Sequence, residues 1–259
     1  MITHISQKGF IPAPIFTDEY IFGGNSKLQE QVLREDGDWS DYIPQFEDQY
    51  KNGVESMSCV SYGTLNAIEV LQEEKFGEHD VDYSERFIST LGGTTKQGNN
   101  PQKIAETVRK YGLIPEERLP FSGLETWEEY FADIPKNLKQ EGKRWLWDWK
   151  FGHDWVITNN TRREEKNELL KDALKFSPIG VSVFGWAEIN GVYVKHGSDN
   201  HWCLLLNGDR DYWYVLDTYP SYIKKLEKSY DFGYAKRYTL NRAEVGNWVF
   251  DLFRRFFVV

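Results

Sequence analysis

Pro178 divides this chain between two grammars: before it apolar residues recur at helical spacing, and after it they alternate with period two. In Ser56–Leu71, the positions Val60, Thr64, Ala67, Ile68 and Leu71 share one helical face, and Ser56 is suited to cap it. Pro101 to Tyr111 reads as a second helix, opened by Pro, stopped by Gly112 and striped by Ile104, Ala105, Val108 and Tyr111. A third runs over about 164–176, with Leu169, Leu170, Ala173 and Leu174 inward. Beyond Pro178, the segments Ile179–Phe184, Gly191–Val194, His201–Leu206 and Tyr212–Asp217 read as strands, the last two joined by a turn at Asn207–Asp211. Helices first and strands second predict an α+β chain, a helical lobe followed by a β-rich lobe.

Residues 1–37 are of a different kind. Pro12 and Pro14 bracket an extended stretch, Gly23-Gly24 breaks it, and 26–34 has room for a short helix capped by Ser26. Phe10, Ile15, Phe16, Tyr20 and Phe22 are more large apolar residues than an exposed leader needs. They predict an arm buried against the body, in preference to a removable inhibitory segment. Between 123 and 157 the chain is acidic, then rich in Trp; the alternation of Trp145, Trp147 and Trp149 is read as a strand packing on the core.

Composition removes several functions. With 40 Asp+Glu against 31 Lys+Arg, net −9, neither nucleic acid nor an anionic membrane is the expected partner. No apolar run approaches the ~20 residues of a spanning helix, and the first residues lack the apolar core of a secretory signal. Two cysteines, Cys59 and Cys203, exclude a disulfide scaffold and fit a reducing compartment. No feature of the pattern specifies an oligomeric state.

The chemistry-bearing residues are few. Cys59 falls in the first turn of the first helix, where the dipole and free N–H groups lower a thiol pKa; its other reading is a small buried apolar residue. His201 opens an apolar strand and Asp217 closes the next. If these strands pair, the two meet at the open end of the hairpin, where a carboxylate orients an imidazole. The order Cys, His, Asp describes a thiol hydrolase. Cys203 leaves the same strand face as His201, as core filler or as a redox partner for Cys59. His4, His79, His153 and His196 show no metal-ligand spacing, and a Cys59/Cys203/His201 zinc site lacks a fourth ligand. No metal and no cofactor are expected.

In colinear order over about 38–222, the chain resembles the papain-like cysteine peptidases. The carriers are Trp39, Pro44 and Gln49 ahead of Ser58-Cys59; Gln97-Gly98-Asn99-Asn100-Pro101; Tyr111-Gly112; and Leu119-Pro120-Phe121. They continue in Pro178–Val183, in Asn200-His201-Trp202-Cys203-Leu204, and in the return strand Tyr212–Asp217. The resemblance implies a two-lobed fold, a helical lobe over about 38–125 and a β lobe over about 126–259, with the cleft between them. It implies Cys59 as nucleophile, His201 as base and acid, and Gln49 with the Cys59 N–H as oxyanion hole. Gly98, Asn99 and Asn200 would offer backbone groups to an extended peptide or protein substrate.

Several departures stand out. Gln49 lies ten residues before Cys59 where the family has six, so Tyr50–Val54 must bulge out. The family's third residue is Asn, whereas Asp217 adds a charge that stabilises imidazolium. No indole is matched as the shield of that residue, Trp248 being too distant, and the family's long pro-segment and disulfides have no counterpart. A transglutaminase-like, leader-peptidase-like or amidase Cys-His-Asp enzyme is the rival reading. A non-catalytic phage virion component of the same fold is another, which would place the protein in a particle rather than the cytoplasm.

Overall fold

The computed structural model describes residues 8–13, 21–23 and 31–243. Its helices are α1 (Cys59–Phe76), α2 (Glu85–Leu91), α3 (Pro101–Tyr111), α4 (Trp127–Tyr130), α5 (Lys136–Asp148) and α6 (Arg163–Leu174). A small hairpin pairs β1 (Tyr50–Lys51) with β2 (Val54–Glu55). The large sheet holds β3 (Trp149–Ile157), β4 (Ile179–Val183), β5 (Ala187–Ile189), β6 (Val192–Val194), β7 (His201–Gly208), β8 (Tyr212–Leu216), β9 (Ile223–Glu227) and β10 (Ala235–Arg242). Their order is β3-β10-β4-β7-β8-β9-β6-β5, antiparallel except for the β6–β9 contact. The predicted α+β class is what the chain adopts.

α1 is the central element, buried from Cys59 to Gln72 and packed on β4, β7 and β10. It starts two residues later than a Ser56 cap would place it. Ser58 holds the cap position without a side-chain cap bond, its hydroxyl donating instead to the Ser56 carbonyl at 3.1 Å. Cys59 is therefore the first helical residue. α3 keeps its predicted bounds, with Asn100 accepting from the Lys103 N–H at its start.

Two readings need correction. Trp145 and Trp147 lie on α5, not on a strand, because Leu138, Gly142 and Trp145 recur at helical spacing and bury one face. Trp149 opens β3. Packing holds for Trp145, Trp149 and Trp155, which are buried, whereas Trp147 is 74% exposed. Residues 31–34 are not helical; the Leu33 and Arg34 N–H groups both donate to the Lys175 carbonyl. The rest of the proposed 26–34 helix lies outside the described residues.

The hydrophobic core runs continuously from α1 and α3 into the sheet. Within it Arg237 and Asp154, both fully buried, form a two-pronged ion pair at 3.0 and 2.6 Å. Beside α1 and α2, Glu47, Glu69, Glu85 and Glu116 are held together. Burial first and then the Asp82 carboxylate push Glu47 and Glu116 up to about 7, and burial first and then Glu47 push Glu69 and Glu85 well above the ordinary range. No helix among the described residues is long and apolar enough to cross a membrane.

Candidate active site

The N-terminus of α1 and the start of β7 bring Cys59 and His201 into one buried region. β8 returns antiparallel to β7 with Leu204 opposite Leu216, so Asp217, one residue past β8, reaches the His201 end of the ladder. His201 Nε2 donates to Asp217 Oδ1 at 2.5 Å, and both side chains are inaccessible to solvent. The pairing predicted from the hairpin is therefore present. His201 Nδ1 is buried and has no hydrogen-bond partner among the described residues. Cys59 makes no hydrogen bond to the ring, but its sulfur meets the backbone N–H groups of Trp202 and Val60.

The expected thiolate is overturned for this closed arrangement. Cys59 is completely buried, and burial first, with the carboxylates of Glu55 and Asp217, pushes its pKa well above the ordinary thiol value. The two N–H groups oppose this without prevailing.

The insertion that follows Gln49 folds into a hairpin of its own. Residues 50–55 form the β1–β2 hairpin, with Asn52 and Gly53 both at positive φ (52° and 82°), as a two-residue turn of this twist requires. The extra length loops outward and leaves Gln49 fully buried. Thr218 Oγ1 donates to Gln49 Oε1 at 2.8 Å, and Gln49 Nε2 donates to Glu55 Oε1 at 2.7 Å and to the Lys8 carbonyl at 3.2 Å. Glu55 also accepts from the Met57 N–H and the Tyr219 hydroxyl.

Gly98, Asn99 and Asn200 are engaged, by the chain's own residues 8–11. The Lys8 and Phe10 N–H groups donate to the Asn200 carbonyl, Ile11 N–H to the Asn99 carbonyl, and Asn99 N–H to the Gly9 carbonyl. Phe10 and Asn99 pair in parallel. Phe10 is 1% exposed, stacked on Trp202 at 5.5 Å and near Tyr234 at 5.8 Å. Gly9 and Gly98 allow this approach: a Cβ on Gly98 would fall 1.7 Å from the Gly9 carbonyl oxygen. Phe22 packs on Phe176, while Ile15, Phe16 and Tyr20 lie outside the described residues.

Three residues at the site went unread in the sequence. Trp186 donates its indole N–H to Asp217 Oδ2 at 2.8 Å and presents its edge to His201, supplying the indole that seemed to be missing. Trp248 lies outside the described residues. Lys224 Nζ sits 2.6 Å from Asp217 Oδ2, and Glu55 holds Gln49. For Lys224 a signal existed: in Ile223–Glu227 it shares the buried strand face with Leu226, the wrong side for a lysine without a partner.

Cys203 belongs to the Asp217 side of the ring, its thiol donating to Oδ1 at 3.5 Å. His201, Cys203 and Asp217 place ligand atoms within 4.8 Å of one another, and Cys59 is not part of that group. Asp217 is already satisfied by N–H donors and by an ammonium at 2.6 Å, so this trio is knit together as a hydrogen-bond cluster. Burial first, and its carboxylate neighbour second, push the Cys203 thiol far up.

No protein-family model and no curated protein matches the sequence. Solved structures do match in fold. Xylellain, a cysteine protease from Xylella fastidiosa, superposes with a TM-score of 0.65 at 14% identity, covering 95% of this chain and 100% of that one. A cysteine protease of Carica candamarcensis gives 0.55 at 15%, covering 78% and 96%. Digestive procathepsin L 3 of Tenebrio molitor larval midgut gives 0.54 at 16%, covering 78% and 68%. The chain has the papain-like fold.

Proposed function

We propose that the chain is a cysteine-type peptidase whose described form is closed over by residues 8–11, with Cys59 as nucleophile and His201 as base and acid. The observation that carries this is the state of the imidazole. Nε2 is committed to Asp217, and buried Nδ1 is left without a partner beside Trp202, whose N–H meets the Cys59 sulfur. Cys203 lies against the other end of the system, on Asp217.

The chemistry follows from those positions. His201 Nδ1 takes the Cys59 proton while Nε2 keeps its own, donated to Asp217. The thiolate attacks a peptide carbonyl carbon and a C–S bond forms. The oxygen gains the charge and takes hydrogen bonds from Gln49 Nε2 and the Cys59 N–H. Nδ1–H then protonates the leaving amine, the C–N bond breaks, and water hydrolyses the thioester. Thr218 and Glu55 hold the two ends of the Gln49 amide, so the N–H now given to the Lys8 carbonyl is the one aimed for this task. Asn99 and Asn200, now paired with the arm, are the backbone groups an extended peptide substrate would meet.

The test is hydrolysis of a fluorogenic peptide by a Gly9→Ala protein, whose arm cannot seat. Cys59→Ser and His201→Ala in that background should abolish turnover, and Cys203→Ser should retain it. Turnover lost with Cys203→Ser and kept with Cys59→Ser would overturn the assignment.

A further inference from the structure

Asp217 carries more donors than a carboxylate needs for orienting one imidazole. Oδ1 takes His201 Nε2, the Thr218 N–H at 2.7 Å and the Cys203 thiol. Oδ2 takes the Trp186 indole at 2.8 Å and Lys224 Nζ at 2.6 Å. Lys224 is 2% exposed, and its remaining protons go to the Tyr219 and Ser221 carbonyls at 2.7 and 2.6 Å. Its charge lies beside the Trp186 and Tyr193 rings, 5.2 and 5.7 Å from their centroids. An ammonium this enclosed is costly to bury unless its charge is answered, and Asp217 is the carboxylate that answers it.

We propose that Lys224 is a positioning residue for the reaction: it neutralises Asp217, so that the carboxylate orients His201 without over-stabilising its protonated form. This rests on the reading of His201 as base and acid. An unaccompanied buried carboxylate 2.5 Å from Nε2 would favour imidazolium strongly and make a poor acid toward the leaving amine. With Lys224 in place, the Asp217–Lys224 pair presents a nearly neutral dipole to the ring. The direction of Asp217 agrees. Burial alone would push its pKa up, but His201 and then Lys224 outweigh burial and hold it below the ordinary carboxylate range.

The other ionisable groups around the pair do not replace this cation. From α1 comes the Cys59 thiol, from β7 the Cys203 thiol, and from β6 the Tyr193 phenol. From the segment after β8 comes Tyr219, whose ring lies 5.5 Å from that of His201 and whose hydroxyl donates to Glu55. From the arm, the Lys8 ammonium lies over the Tyr219 ring at 4.6 Å. Burial pushes the phenols and thiols upward, and among the described residues Lys224 alone pairs its charge with Asp217 besides His201.

The experiment is a pH titration of the His201 ring nitrogens by ¹⁵N NMR in the full chain. The proteins are the parent, Lys224→Met, Asp217→Asn and the double variant. Lys224→Met should raise the midpoint by roughly one pH unit or more, since one unit corresponds to a tenfold change in proton affinity. Asp217→Asn, which leaves the cation unanswered, should lower it. The double variant should return to within about half a unit of the parent. It removes both charges at once, so it keeps the question open to refutation even if Lys224→Met does not fold. A double variant that titrates no closer to the parent than Asp217→Asn would overturn the proposal, as would an unmoved midpoint in Lys224→Met. The titration does not require turnover, so failure of the peptidase reading would appear separately, as a Gly9→Ala protein without hydrolysis.

Discussion

Replacing Gly9 with alanine adds one methyl group at the tightest point of the arm. Gly9 has φ +108°, and a Cβ there would lie 2.3 Å from the Met57 carbonyl oxygen, a backbone atom two residues ahead of Cys59. Neither strain can be relieved while residues 8–11 stay in place. Overpacking against backbone costs about 1–3 kcal/mol, and a non-glycine residue in this conformation costs about 1–3 kcal/mol more. A central figure of about 3 kcal/mol falls on the closed state alone. At 1.4 kcal/mol per tenfold, the open population should rise about 10²-fold. The assay is the rate of Cys59 alkylation by iodoacetamide, with Cys203 as internal control and peptide turnover in parallel. Both cysteines are buried in the closed form and should label slowly in the parent. In Gly9→Ala, Cys59 should label about 10²-fold faster and Cys203 should not change. A lowered Tm with unchanged Cys59 labelling and no turnover would refute the reasoning and make residues 8–11 a purely structural arm. An unchanged Tm together with unchanged labelling would mean that Gly9 is not packed on Met57 at all.

Trp186→Phe keeps an aromatic edge on His201 but deletes the N–H held by Asp217 Oδ2 at 2.8 Å. Losing a hydrogen bond to a charged group, about 1.5 kcal/mol, should lower kcat/KM about tenfold in the Gly9→Ala background. An unchanged value would remove Trp186 from the site. Stability should carry the mark of the acidic cluster. Glu47 and Glu116 have folded pKa values raised to about 7, above the unfolded value of about 4.3. Their contribution is therefore fully present below about pH 4.3 and is lost as pH rises through about 7. The Glu47→Gln/Glu116→Gln double variant should show a flatter fall of Tm between about pH 5 and 8 than the parent; parallel curves would refute it.

Much of the site was legible because its signals are local. A cysteine at a helix start, a histidine opening an apolar strand and an aspartate after the returning strand are positions that periodicity and one turn define. The hairpin register then had little freedom in where to bring His201 and Asp217 together. The same locality explains the errors. The Trp145–Trp149 run matches period two, yet the burial of Leu138, Gly142 and Trp145 on one face decided for a helix. The helix-start argument for a Cys59 thiolate was sound as a local statement. It was overridden by burial, which depends on what lies over the thiol.

The sequence by itself determined the fold class, the α1 and α3 helices, the β7–β8 hairpin and the candidates Cys59, His201 and Asp217. Each follows from spacing within one element or across one turn. Only the tertiary structure decided that Lys224 and Trp186 complete the surroundings of Asp217, that Glu55 and Thr218 fix the Gln49 amide, and that residues 8–11 take the backbone groups of Asn99 and Asn200. These contacts join residues as far apart in the chain as Lys8 and Asn200, so no local periodicity encodes them. They exist because buried charges and backbone groups must find partners wherever the packed chain brings one within reach.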